Sequence, residues 1–264
     1  MRTRYIDVDD RMESFWELLA DHRSQADEFE RKLELSWIYH DNALEGIVLS
    51  APELAQALAG DPVSDATLAP VYQEIRNLRE AIRLVRAEAP SSKLKMNLSL
   101  VKKLYELLGK GIDGKDKAVF RKDMPLHRTY FHDIHAPGKI ADGMQKLLDF
   151  SGTAEFKEYH PIKQAAVVHY GFMQIFPYTE NSGRVARLLM NLVLLRYRYL
   201  PAIIHAIDRQ RYYETLRQPN TALRTLVLEA EENALENAFK YFDQLRVREQ
   251  PAPRRQRRRR AAGA

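Results

Sequence analysis

The residues best equipped for chemistry lie together in one stretch, Ile175-Phe-Pro-Tyr-Thr-Glu-Asn-Ser-Gly-Arg-Val-Ala-Arg187. It joins two apolar helical patterns through turn-forming residues. Asn181 tolerates left-handed backbone angles and Gly183 adopts them freely. A loop of this kind at a helix start aims several backbone N–H groups at one spot. The helix dipole adds partial positive charge there, so Asn181, Ser182 and Gly183 would make an anion nest. Arg184 adds a guanidinium, and Arg187, three residues on, lies near it on the same helical side. Glu180 sets a carboxylate beside the pocket, where a hard cation such as Mg²⁺ could bridge it to phosphate. Nest, arginines and acid together describe a site for a nucleotide polyphosphate. The same residues also read as an Asn-Ser-Gly helix cap with solvated arginines, since many helices start this way. Residue chemistry alone leaves both open.

Other reactive types are scattered. His169 precedes Phe176 by two helical turns, roughly 10 Å along the axis, too far for direct hydrogen bonding; a packing or hydrogen-bonding role suits it. His127, His132, Asp133 and His135 are metal-ligand types, but nothing in their spacing organises a closed site. One of those histidines acting as a proton acceptor is the other reading. His205, after Ile203 and Ile204, reads as structural. The chain has no cysteine, which excludes disulfides, thiolate metal sites and cysteine nucleophiles.

The elements that must position these residues are helices. Apolar residues recur at helical spacing through most of the 264 residues. Trp16, Leu18, Leu19, Phe29, Leu33 and Trp37 predict one long first helix. Ser50-Ala51-Pro52-Glu53 is a capping box that announces a second, which Asp61, Pro62 and Ser64 break. Further helices are expected over about 67–89, 98–108, 138–150, 161–175, 183–198, 208–217 and 222–245. Between Gly109 and Pro137 the pattern changes. Three glycines are followed by β-prone Val119, Phe120, Thr129, Tyr130, Phe131 and Ile134, which predict a loop and a short β-hairpin. The fold class is therefore all-α with one hairpin.

Charge and hydropathy set the frame. A hydrophobic fraction of 45% supplies a full core. Arg254, Arg255 and Arg257 through Arg260 carry six positive charges, more than the whole net charge of +5, so the body is close to neutral. The Pro- and Arg-rich tail from Gln250 is expected to be disordered. No apolar run reaches the roughly 20 residues that span a bilayer. The amino end lacks the apolar stretch of a secretory signal. The cytoplasm is the expected location.

The loop at 175–187 resembles the signature of the Fic (Fido) family, His-Pro-Phe-x-(Asp/Glu)-Gly-Asn-Gly-Arg-x-x-Arg. Pro177, Glu180, Gly183, Arg184 and Arg187 match it, and Tyr178 stands for its phenylalanine. The hairpin after Phe120-Arg121 resembles the family's flap, and Asp208-Arg209-x-x-Tyr212-Tyr213-x-x-Leu216 resembles the helix bordering the nucleobase. The likeness covers roughly residues 35–220. It implies a Fic-type helical bundle with a β-hairpin flap and an amino-terminal helical extension. Fic proteins typically transfer AMP from ATP to a protein hydroxyl. The resemblance then implies that Glu180 holds Mg²⁺, that the loop and Arg184 bind ATP phosphates, that Arg187 binds the γ-phosphate, and that Tyr212 and Tyr213 flank the base. Three positions depart. Phe176 replaces the histidine that deprotonates the acceptor, Asn181 replaces the first glycine, and Ser182 replaces the asparagine. Phenylalanine has no lone pair, and losing a general base costs about 10²–10⁴ in rate.

Upstream, Asp41-Asn-Ala-Leu-Glu45-Gly46 resembles the family's inhibitory motif, (Ser/Thr)-x-x-x-Glu-(Gly/Asn), with Asp41 in the hydroxyl position. The resemblance pairs Glu45 with Arg187. Asp41 departs from the motif and brings a second carboxylate nearby. The expected organisation is a helical region with the inhibitory-type motif over 1–60, a Fic-like core over 61–249 and the arginine tail over 250–264. Three functions follow. The first is a nucleotide-binding relative of protein adenylyltransferases with absent, weak or unconventional transfer. The second is a non-catalytic interaction or regulatory protein that docks a protein partner. The third is a transferase to an already anionic acceptor, which needs no base. The tail suits nucleic acid through counterion release, although charge runs at chain ends are more often only solvated.

Overall fold

In a computed structural model that describes residues 1–60, 65–91, 95–125 and 132–249, the described residues form eleven α-helices and no strand. The long first helix is two, α1 (Arg2–Asp21) and α2 (Arg23–Leu44), parted at His22, whose backbone leaves the helical region at φ −116° and ψ 44°. Helix α3 (Ala51–Ala59) starts at the capping box. Ser50 Oγ accepts from the Glu53 N–H while the Glu53 carboxylate accepts from the Ser50 N–H, and left-handed Gly60 ends it. Then come α4 (Ala69–Glu88), α5 (Leu98–Gly109), α6 (Ile140–Ser151), α7 (Ala154–Glu158), α8 (Pro161–Ile175), α9 (Ser182–Arg196), α10 (Arg209–Thr215) and α11 (Asn220–Glu249). The one-turn α7 went unread because five residues are too few for a periodic signal.

Helix α9 is the axis of the fold. Every residue from Ser182 to Leu194 is buried, the polar Ser182, Arg184, Arg187 and Asn191 included. Its main neighbour is α8, with α4 and α5 on other sides; α11 covers α8 and also packs on α1. Helix α2 crosses α4, and its carboxyl-terminal turn (Asp41, Asn42, Ala43, Leu44) is buried over the start of α9. Among the described residues no helix is long and apolar enough to cross a membrane.

Among the described residues the expected hairpin is not there. Val119, Phe120 and Ile134 lie in irregular backbone with no strand partner, while Thr129, Tyr130 and Phe131 fall outside the described residues. Among the described residues, the backbone of both arms bonds to the α8–α9 junction. The N–H of Arg121 donates to the Pro177 carbonyl at 2.9 Å, and that of His135 to the Gln174 carbonyl at 2.9 Å. The buried Arg121 guanidinium fixes this course, donating to the carbonyls of Phe176 (2.7 Å), Asp123 (3.1 Å) and His135. Alternation here reflects one face packed on helices: Phe120 and Ile134 lean on the core while Val119 faces solvent.

Candidate functional site

The 175–187 loop is held by two residues with left-handed backbone. Phe176, at the end of α8, has φ 46°, and Asn181, before α9, has φ 58°. Gly183 is not among them; it sits in the first turn of α9 with ordinary helical angles. Ser182 closes the loop internally, its hydroxyl donating to the Tyr178 carbonyl (2.8 Å) and accepting from the Tyr178 N–H (3.0 Å). The Asn181 side chain does not cap the helix. Its Oδ1 accepts from Arg184 Nη1 at 3.1 Å, and no side chain caps the α9 amino end. The solvated-cap alternative therefore fails on geometry, because Arg184 and Arg187 are buried (4% and 2% exposed) and neither residue 181 nor residue 182 serves as a cap.

Both guanidiniums are engaged. Arg187 donates from Nε to Asp41 Oδ2 and from Nη2 to Asp41 Oδ1, each at 2.8 Å, and from Nη2 to Glu45 Oε1 at 2.6 Å. Such a bidentate carboxylate fork is the same geometry that a phosphate offers, so the carboxylate oxygens stand where phosphate oxygens could be gripped. Burial opposes the charge on Arg187, but Asp41 and Glu45 outweigh it and push its pKa well above the usual guanidinium value. Arg184 donates from Nη2 to Asn42 Oδ1 (2.9 Å) and from Nη1 to Glu74 Oε2 (3.1 Å). Thus α2 and α4 contribute side chains to the α9 amino end, which the loop itself does not contain. What remains open between Trp37, Asp41, Leu44 and Arg187 is a void of about 10 Å³.

Glu180 lies further out, 54% exposed along its side chain, with Oε2 2.7 Å from Lys115 Nζ. Lys115 also contacts Glu74 Oε1 at 2.9 Å. Burial raises the Glu74 pKa, yet the charges and hydrogen bonds of Arg184 and Lys115 win and it lies below its ordinary value. Tyr212 and Tyr213 are buried on the other flank. The Tyr212 hydroxyl lies 3.5 Å from Arg187 Nη1 and 3.0 Å from His169 Nε2, and burial pushes its pKa up to about 12. Tyr213 Oη donates to the Leu44 carbonyl at 2.6 Å, and Arg209 Nε donates to the same oxygen at 2.8 Å. The end of α2 is therefore stitched to α10.

Among the described residues, a histidine packs against Phe176. The Phe176 ring is buried at 5% exposed and meets His132 edge-on, with ring centroids 6.1 Å apart. His132 is 2% exposed and its Nε2 bonds the Met173 carbonyl at 2.8 Å. His169 is wholly buried, and burial drives its pKa down to about 3. His127 lies outside the described residues. His132, Asp133 and His135 form no metal cluster, and among the described residues no group of three or more His, Cys, Asp or Glu does. The packed-together set thus comprises Phe176, Asn181, Ser182, Gly183, Arg184, Arg187, Tyr212 and Tyr213, with Glu180 at the rim and Glu45 over Arg187. Sequence reasoning missed Asn42, Glu74 and Lys115 and underrated Asp41. Only the glycines before Lys115 hinted at a built loop; nothing local marked Glu74.

Comparison with known proteins agrees with this arrangement of helices. The Fic/DOC family pattern matches residues 95–194. The protein adenylyltransferase Fic of Drosophila willistoni is 28% identical over 185 residues, covering 69% of this chain and 36% of that protein. Its namesake in Nematostella vectensis is 29% identical over 198 residues, covering 69% and 42%. The chain spans about two fifths of the length of these curated relatives. Two solved structures share the fold. Fic-1 from C. elegans superposes with a TM-score of 0.78 at 20% identity over 92% of this chain and 73% of that one. A Fic domain containing signaling protein from Bacteroides thetaiotaomicron gives 0.75 at 20% identity over 90% and 97%.

Proposed function

Because residues 95–194 match the Fic/DOC family pattern, we propose that the chain is a nucleotide-binding relative of the protein adenylyltransferases, held closed by its own amino-terminal helices and without a base for transfer to a hydroxyl. One observation carries this reading. The uncapped amino end of α9 is flanked by two buried guanidiniums, and the anionic oxygens on Arg187 come from elsewhere in the chain. In this reading residues 1–60 act as a lid on a core over 61–249. ATP phosphates would take the α9 N–H groups, Arg184 and, once Asp41 and Glu45 withdraw, Arg187. Tyr212 and Tyr213 border the base. An acceptor hydroxyl must lose its proton as its oxygen attacks the α-phosphorus, and Phe176 takes none. Transfer to a hydroxyl is therefore weak or absent, whereas an anionic acceptor escapes that requirement.

Mg²⁺ is implied by the resemblance, but the residues do not fit it as they stand. The exposed carboxylate of Glu180 is already neutralised by Lys115 at 2.7 Å.

A second reading is favoured by the closure itself. With Arg184 and Arg187 already paired, the network braces the fold of a non-catalytic interaction protein. Titration calorimetry with ATP separates the two. Withdrawing one partner from a buried pair leaves an uncompensated charge that costs about 3–5 kcal/mol, and a phosphate would repay that cost. Asp41 makes two of the three carboxylate bonds to Arg187. Glu45→Gly alone should therefore change ATP affinity little, while Asp41→Ala with Glu45→Gly should tighten it at least about tenfold. A double variant that keeps its helical circular dichroism and binds no ATP assigns the pair to bracing.

A further inference from the structure

The loop after α5 is built to deliver one side chain. Gly109 ends the helix so close to the following turn that a Cβ on it would lie 1.8 Å from the Lys115 carbonyl oxygen. Gly111 and Gly114 take left-handed angles, φ 71° and 76°, which other residues adopt at a cost. Successive turns are closed by Ile112 N–H to Gly109 O (3.0 Å) and Lys115 N–H to Ile112 O (3.1 Å). Buried Asn77 on α4 pins the start of the loop, donating to the carbonyls of Leu108 (3.0 Å) and Lys110 (2.8 Å). The result is an ammonium between two carboxylates, 2.9 Å from Glu74 and 2.7 Å from Glu180, with Glu74 in turn on Arg184.

An ammonium is a compact point charge with three donors. It therefore occupies the same kind of place as a small hard cation that draws carboxylate oxygens around it. A divalent ion at Glu180 would meet that positive charge at hydrogen-bonding distance.

We infer that Lys115 is the resident cation at the Glu180 corner of the site, so that the chain supplies this charge itself and excludes a divalent metal. Its consequence for ligands rests on the nucleotide reading: a nucleotide would bind without a divalent ion at Glu180. The inference itself is decided without nucleotide.

Free Mn²⁺ is measured by electron paramagnetic resonance in titrations of the full chain, its Lys115→Met and Lys115→Arg variants, and Lys115→Met with Glu180→Gln. The wild type and Lys115→Arg should leave the Mn²⁺ signal free. Lys115→Met, which frees Glu180 and one oxygen of Glu74, should bind one Mn²⁺ at least about tenfold more tightly than the wild type. Adding Glu180→Gln should abolish that binding. Mn²⁺ bound by the wild type and lost on Glu180→Gln overturns the inference. So does a Lys115→Met protein with native circular dichroism that gains no metal. Should ATP fail to bind in calorimetry while these titrations run as expected, the nucleotide reading falls and the role of Lys115 stands.

Discussion

At residue scale, the site is a set of charges arranged to satisfy one another. Arg184, Arg187 and Lys115 face Asp41, Glu45, Glu74 and Glu180 at distances between 2.6 and 3.1 Å. Buried ion pairs are costly to assemble and more costly to break singly, so this network holds one closed arrangement. Phe176 adds a different constraint. A bulky residue in left-handed backbone is a strained choice of order 1–3 kcal/mol, kept because Arg121 grips its carbonyl and the core takes its ring. Histidine tolerates that backbone better than most residues, so Phe176→His should fold. In the Asp41→Ala, Glu45→Gly background it should raise AMP labelling of a hydroxyl-bearing acceptor by about 10²–10⁴ over the same background with Phe176. Labelled ATP with gel autoradiography reads this out. No gain in a variant that binds ATP would show that the departures at Asn181 and Ser182 also matter.

At the scale of elements, most helices were legible because their signals are local. The capping box at Ser50 and the apolar periods of α8, α9 and α11 each lie within one element. The break at His22 was not, since no proline or glycine marks it and the two patterns run on without a gap. Nor was the course of Gly109–Pro137, because alternation reports one buried face without saying whether a strand or a helix covers it. Helix α11 carries an unread feature. Glu231 is fully buried, and neither carboxylate oxygen has a hydrogen-bond partner among the described residues. Burial raises its pKa well above the usual carboxylate range. The folded form keeps the proton that the unfolded chain releases above its ordinary pKa, so this group's contribution falls as pH rises beyond about 4.5. Glu231→Met, of similar volume, should raise stability at pH 8 by about 1–3 kcal/mol in urea melts, with a smaller gain near pH 5. A loss at both pH values would reveal a partner for the carboxyl.

At the scale of the molecule, two helices from the amino-terminal third close the entrance to α9 and are fastened to α10 and to the α8–α9 pair. One buried histidine and one half-buried histidine report on this seam. Burial lowers the pKa of His169 to about 3 and that of His40 to about 4. The sign follows directly: below about 6.5 the unfolded chain takes up protons that the folded chain refuses, so stability is lost as pH falls from 6.5 toward those values. Each group contributes up to about 1.4 kcal/mol per pH unit. His169→Asn should remove that much of the slope between pH 6 and 4 in urea melts, and an unchanged slope would mean that His169 is protonated in the fold. The linear chain determined the helical character and the contiguous loop at 175–187, because periods, caps and motifs are written in neighbouring residues. Only the tertiary structure decided that Arg184 and Arg187 are already paired. Asp41 and Asn42 stand 146 and 142 residues from the arginines they hold, and Glu74 stands 110 from Arg184. No spacing rule links positions so far apart, and packing of α2, α4 and α9 brings them within hydrogen-bonding reach.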